Sequence, residues 1–263
     1  MEKFVGMLLF LLLLPGCNIQ KSLLYYPDRS VPTDSQLAKH CMRFWPSGRD
    51  RYRGFIGTMP EGTAKGTIIV LHGNAATAAD RRYYLEPLRR LGYRVLLAEY
   101  PGYGKREGKL GEESFVRDAR ETIRLAAGMY NQPLYLLGES LGGAVAAAAA
   151  REAGVRVDGI ILITPWDSLE AVAKEKFPQL AVRLFLTDSF DTIVNLEKFK
   201  GPVAVVAAER DTIIPSHHAQ KLYVSFPGHK KIWTIPGADH NDWPDFITDT
   251  IWKEIIGFVE NAV

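Results

Sequence analysis

The sequence predicts an α/β fold: a mostly parallel sheet of eight strands flanked by helices, with a short helical insertion serving as a cap. Three observations lead there. Short apolar runs, rich in β-branched residues and bounded by Gly or Pro, alternate with longer amphipathic segments in a βαβα rhythm, as in a sheet covered on both faces. That rhythm breaks once, between Thr164 and Gly201. The chain has 263 residues, of which 47% are hydrophobic, enough for one sizeable core and one domain over 18–263.

At the start, Phe4 to Leu14 is an unbroken apolar run, preceded by Lys3 and followed by Pro15-Gly16-Cys17. A bilayer of about 30 Å needs about 20 apolar residues to be spanned, so the run reads as a cleaved export signal covering residues 1–17. Leu14-Pro15-Gly16-Cys17 resembles a bacterial lipobox. This implies lipidation at Cys17 and a membrane anchor without a spanning helix. Asn18 then fits transit to the periplasmic face of the outer membrane in a Gram-negative envelope. An ordinary signal cut nearby, or an uncleaved short anchor, is the alternative. Cys41 is then the one remaining cysteine, so no intramolecular disulfide is available, and it reads as a plain structural thiol.

Met42 to Gly57 is expected to form one or two antiparallel edge strands. Further strands are expected at Thr67–Leu71, Arg94–Ala98, Leu134–Leu137, Gly159–Ile163, Val203–Ala207 and Lys231–Ile235. Helices are expected near 78–91, 112–129, 141–153, 216–226 and 245–263. The last carries an apolar stripe of Phe246, Ile247, Ile251, Ile255, Phe258 and Val259. The cap, about 165–200, holds Trp166, Phe177, Leu180, Leu184, Phe185 and Leu186, which either face acyl groups or seal the sheet edge.

Gly138-Glu139-Ser140-Leu141-Gly142 directly follows a strand and opens an alanine-rich helix, the setting that turns a loose G-x-S-x-G match into a nucleophile elbow. A serine on so tight a turn has strained backbone angles, and side chains two residues to either side would collide, hence glycine at both places. A serine hydroxyl needs a base within hydrogen-bond reach, supplied after the last strand. His240, in Gly237-Ala238-Asp239-His240, fits; His40, His72, His217, His218 and His229 read as surface or satisfied histidines. The orienting carboxylate is Asp211, following the strand Val203–Ala207, with Glu209 and Asp239 as alternatives. His72-Gly73-Asn74-Ala75 ends a strand where a second oxyanion donor is needed. The backbone N–H groups of Asn74 and Leu141 are the candidates, with Ala75 in place of Asn74 as the variant.

From about Leu23 to Val263 the sequence resembles the α/β-hydrolase superfamily, in its small serine aminopeptidase-like branch. The resemblance rests on Leu24-Tyr25-Tyr26-Pro27, Val70-Leu71-His72-Gly73-Asn74-Ala75, Glu99-Tyr100-Pro101-Gly102-Tyr103-Gly104, the elbow, Pro165-Trp166-Asp167-Ser168-Leu169 and Asp211-Thr212-Ile213-Ile214-Pro215. It implies the α/β-hydrolase fold and hydrolysis of esters, thioesters or amides with no metal or organic cofactor. Glu99 stands where the family often has Asp, and Lys105-Arg106-Glu107-Gly108 lacks the serine usual there. The expected reaction is therefore acyl transfer on a small-molecule acyl substrate. A serine peptidase with the same triad and a non-catalytic envelope lipoprotein are the rivals. With 32 basic and 30 acidic residues spread along the chain there is no basic stripe, which argues against a nucleic-acid partner.

Overall fold

The computed structural model describes residues 16–60 and 62–261. The apolar run 4–14 therefore lies outside the described residues. Of Cys17, the expected lipidation site, only the backbone is described, as the second residue of a helix.

That helix, α1 (Gly16–Leu24), runs into the two-residue strand β1 (Tyr26–Pro27), followed by α2 (Asp34–Lys39) and the antiparallel pair β2 (Met42–Trp45) and β3 (Gly54–Gly57). The parallel strand β4 (Gly66–Leu71) leads to β5 (Ala75–Ala76), which pairs with β1. A 3₁₀ stretch (Ala78–Tyr84) and α3 (Leu85–Arg90) come next, then β6 (Tyr93–Ala98), α4 (Glu112–Tyr130), β7 (Leu134–Glu139), α5 (Leu141–Arg151) and β8 (Gly159–Ile163). Three short helices fill the insertion: α6 (Leu169–Lys176), α7 (Gln179–Phe185) and α8 (Thr192–Leu196). The chain closes with β9 (Val203–Ala208), α9 (His217–Ser225), β10 (Lys230–Ile235), α10 (Trp243–Phe246) and α11 (Asp249–Glu260).

The main sheet has eight strands in the order β10-β9-β8-β7-β4-β6-β3-β2, parallel except where β3 meets β6 and β2. It separates two apolar layers. Along β4, Ile69 and Leu71 enter the layer holding Phe115 and Ile123 of α4 and Val145 of α5. Ile68 and Val70 enter the other, with Leu88 of α3 and Trp252 and Ile255 of α11. Strand side chains alternate faces and both faces are covered, which is why these runs are apolar throughout.

Two expected helices are divided. The segment expected as one helix near 78–91 breaks at Arg81 (φ −85°, ψ 16°) and restarts at Leu85. Pro87 then falls in a first turn, where its missing N–H is tolerated; in one continuous helix it would sit in the interior and cost about 3 kcal/mol. The C-terminal helix starts at Asp249 because the Thr248 hydroxyl caps the Ile251 N–H, leaving Ile247 extended. Its buried face is Trp252, Ile255, Ile256 and Val259, and Phe246, expected in the stripe, is 43% exposed. Cys41, expected as a plain structural thiol, is exposed in the turn before β2, at φ 54°. Among the described residues no helix is long and apolar enough to cross a membrane.

Candidate active site

The turn from β7 into α5 is built by sterics. Ser140 has φ 53° and ψ −118°, a left-handed conformation for a residue with a side chain. A Cβ on Gly138 would lie 2.3 Å from the Gly142 carbonyl oxygen, and one on Gly142 would lie 1.9 Å from that of Leu71. Both positions therefore exclude any larger residue. The Ser140 N–H donates to the Ile163 carbonyl of β8 at 2.9 Å, pinning the turn to the sheet.

Two loops bring the other residues to the same edge. After β9, the Oδ1 atom of Asp211 accepts from the N–H groups of Ile213 (3.0 Å) and Ile214 (2.6 Å), which orients the carboxylate. After β10, Nδ1 of His240 lies 2.7 Å from Oδ2 of Asp211, and Nε2 lies 3.1 Å from Oγ of Ser140. An ionised carboxylate can only accept, so the imidazole proton sits on Nδ1 and Nε2 presents its lone pair to the hydroxyl. All three residues are buried to 8% exposure, so bulk water does not compete for these bonds.

The two alternative carboxylates are occupied otherwise. Asp239 accepts from the N–H and hydroxyl of Thr212 and from the N–H of His240, contacts that hold its carboxyl below the usual range. Glu209 accepts from the Gly237 N–H at 2.8 Å. Both brace the loops that carry Asp211 and His240.

The turn after β4 is held by partners that sequence reasoning did not assign. The His72 ring is 1% exposed; its Nδ1 donates to the Gly73 carbonyl at 2.7 Å, and its Nε2 lies 3.0 Å from Oε1 of Glu99. Tyr100 donates to the His72 carbonyl (2.9 Å) and Tyr103 to the Asn74 carbonyl (2.6 Å). Glu99, noted only as a departure from family usage, thus fixes the turn, and its other oxygen accepts from the Ala78 N–H. The Tyr-Pro-Gly-Tyr-Gly string was a signal for this role. The Asn74 N–H makes no hydrogen bond among the described residues, whereas its carbonyl also accepts from Tyr26 and its Nδ2 donates to the Leu24 carbonyl. Leu141, first in α5, has an N–H with no acceptor inside the helix.

Behind the elbow, Glu139 accepts from Arg81 (3.1 Å), Tyr83 and Tyr84 (2.9 Å). Burial, and then the Glu139 charge, push both tyrosine hydroxyls up, so they stay protonated and donate. Ser140 and His240 open into a cavity of ≈ 710 Å³ whose walls include Leu23 and Leu24 of α1 and Leu169, Val172 and Phe177 of the cap. The cap residues divide. Trp166 is buried and donates to the Phe190 carbonyl, while Leu180 and Leu184 are exposed.

A sequence model of the family described as "Serine aminopeptidase, S33" matches residues 62–187. An uncharacterized protein of Mycobacterium tuberculosis is 28% identical over 250 residues, covering 90% of this chain and 85% of that protein. A lysophosphatidylserine lipase of Danio rerio is 32% identical over 190 residues, 62% of this chain and 49% of the lipase. Among solved structures, an esterase of Pyrococcus furiosus superimposes with a TM-score of 0.69 at 18% identity, covering 91% of this chain and 97% of the esterase. With its parallel sheet, its strand-turn-helix elbow and these likenesses, the chain has the α/β-hydrolase fold, and over residues 62–187 it is similar to the serine aminopeptidase family of hydrolases.

Proposed function

We propose that the protein is a serine esterase that works through an acyl-enzyme. The observation that carries this reading is the continuous series Oγ of Ser140, Nε2 and Nδ1 of His240, Oδ2 of Asp211, at 3.1 and 2.7 Å. Ser140 attacks the ester carbonyl while its proton passes to Nε2 of His240. Asp211 stabilises the resulting imidazolium, and the proton then goes to the departing alcohol. Water, deprotonated by the same nitrogen, attacks the acyl carbon and releases the acid and free Ser140. The N–H groups of Asn74 and Leu141 hold the oxyanion in both steps, each contributing on the order of 3 kcal/mol.

Two features favour an ester with an apolar acyl chain over an aminoacyl substrate. The cavity walls are mainly aliphatic and aromatic. Its one acidic wall residue among the described residues, Glu139, already serves Arg81, Tyr83 and Tyr84, so no carboxylate is free to receive a substrate ammonium. The lipase and esterase among the similar proteins favour the same substrate class.

The lipid anchor at Cys17 belongs to this proposal. Seven residues of helix, about 10 Å, separate Cys17 from Leu24 in the cavity wall. Acylation at Cys17 would hold the cavity mouth close to a membrane surface, where long-chain esters reside. The enzyme reading is tested by a fluorophosphonate probe together with a series of acyl esters and aminoacyl amides. Labelling of the wild type but not of Ser140→Ala, with esters preferred, is expected; a folded protein that stays unlabelled would favour a binding role. Cys17→Ala is expected to move the protein from the membrane to the soluble fraction, and unchanged fractionation would remove the anchor.

A further inference from the structure

Where α6 of the cap meets α9, three side chains unused by the catalytic reading and absent from the cavity wall converge. Glu175 lies in the last turns of α6, and His217 and His218 open α9. Among the described residues they form a group whose donor atoms all lie within 4.8 Å of one another. Nε2 of His217 is 2.8 Å from Oε1 of Glu175. The His218 ring is 2% exposed, and its Nε2 stands 3.3 Å from the same oxygen, close enough for an ion pair but without hydrogen-bond geometry. A buried imidazole nitrogen held this loosely is open to a better partner between the three side chains.

The other nitrogen of that ring explains its direction. Nδ1 of His218 lies 2.7 Å from Oδ1 of Asp167, a carboxylate 1% exposed at the end of the β8 loop. A buried carboxylate on Nδ1 fixes the imidazole plane and puts the coordinating lone pair on Nε2, the arrangement that outer-shell carboxylates impose on metal-bound histidines. We propose that Glu175, His217 and His218 bind a divalent ion of the zinc class, with Asp167 as the positioning residue. Two imidazoles and a carboxylate suit zinc, cobalt or nickel and disfavour magnesium and calcium. At zinc distances of about 2.0–2.2 Å the donors would stand roughly 3.4 Å apart. Rotation of the two exposed side chains, Glu175 and His217, supplies that contraction. A helix N-terminus on its own repels a cation; here the charges of Glu175 and Asp167 outweigh it, although Lys221 also contacts Asp167. The ion would stitch α6 to α9. Because Val172 and Phe177, in and just after α6, form cavity wall, the ion would hold that wall in place.

The test is a Co²⁺ titration of the chelator-stripped full chain, read by the visible absorption of four-coordinate cobalt and by thermal melting. Saturation at one ion per chain, a raised melting temperature and displacement by Zn²⁺ are expected. His217→Ala and Glu175→Gln alter exposed side chains and keep the fold; each is expected to weaken binding at least about tenfold, and Asp167→Asn by about ten- to a hundredfold. Ser140→Ala is expected to bind as the wild type does, so the result is independent of the esterase reading. No cobalt band, or binding equal to wild type in His217→Ala and Glu175→Gln, overturns the site; loss of binding in Ser140→Ala would assign the ion to the catalytic cavity and overturn it as well.

Discussion

His240 with Asp211 and His72 with Glu99 are built from the same parts, a buried imidazole on a buried carboxylate near the carboxyl ends of the parallel strands. They differ in the second nitrogen. In His72 both nitrogens are spent inside the protein, one on the Gly73 carbonyl and one on Glu99, and the ring is packed between Tyr100 and Tyr103. In His240 the carboxylate takes Nδ1 and leaves Nε2 facing Ser140 Oγ at the cavity. A histidine–carboxylate pair is therefore no sign of catalysis by itself. On the proposed mechanism, the free lone pair, and what it faces, distinguishes a group that moves protons from one that holds a turn.

This difference can be broken by substitution, beginning with the largest effect. Ser140→Ala should lower kcat by about a millionfold with no change in melting temperature, since it removes the one atom that His240 serves. Retention of more than a hundredth of the wild-type rate would end the assignment. Asp211→Asn should lower kcat by about ten-thousandfold, because the amide imposes the wrong imidazole tautomer, and should leave the fold intact. Glu99→Gln should do the opposite. A buried charged partner is weakened, so stability should fall by about 1–3 kcal/mol while kcat per folded molecule changes by less than about tenfold. Denaturant unfolding and active-site titration of the same samples separate the two, and a thousandfold kcat loss in Glu99→Gln at unchanged stability would erase the distinction. Asp239→Asn should be the mildest, below about tenfold in kcat, since among the described residues the Asp239 carboxylate accepts only from Thr212 and from the His240 N–H, through exposed or half-buried bonds. A loss as large as that of Asp211→Asn would transfer the orienting role.

The two regions also differ in how far they could be read from the chain. The elbow was legible because its pattern is local: Gly138 and Gly142 lie within two residues of Ser140, although only the Gly138 clash is with its own turn and that of Gly142 is with Leu71 of β4. The central strands were legible because burial on both faces demands continuous apolar runs, as in β4, β7, β8 and β9, which are buried throughout. The divided helix near Arg81 was missed although Pro87 was present, because the interruption lies six residues before the proline that requires it. The apolar stripe of the last helix was legible for the most part: Ile247, Ile251, Ile255, Phe258 and Val259 are buried in the core layer or packed against it. Phe246, which precedes the Thr248 cap, is exposed, and the buried Trp252 and Ile256 lay outside the expected stripe, because period alone does not say where a helix starts or how wide its buried face is.

What the amino-acid order determined by itself was short-range: which segments become strands, where the tight turn must fall, and which glycines that turn requires. Which of Asp211, Glu209 and Asp239 meets the His240 ring belonged to the tertiary structure, as did the pairing of His72 with Glu99, 27 residues away, and of His218 with Asp167, 51 residues away. The physical reason is that a carboxylate meets an imidazole only after loops from separate strands have packed side by side, and no local preference of either residue encodes that packing.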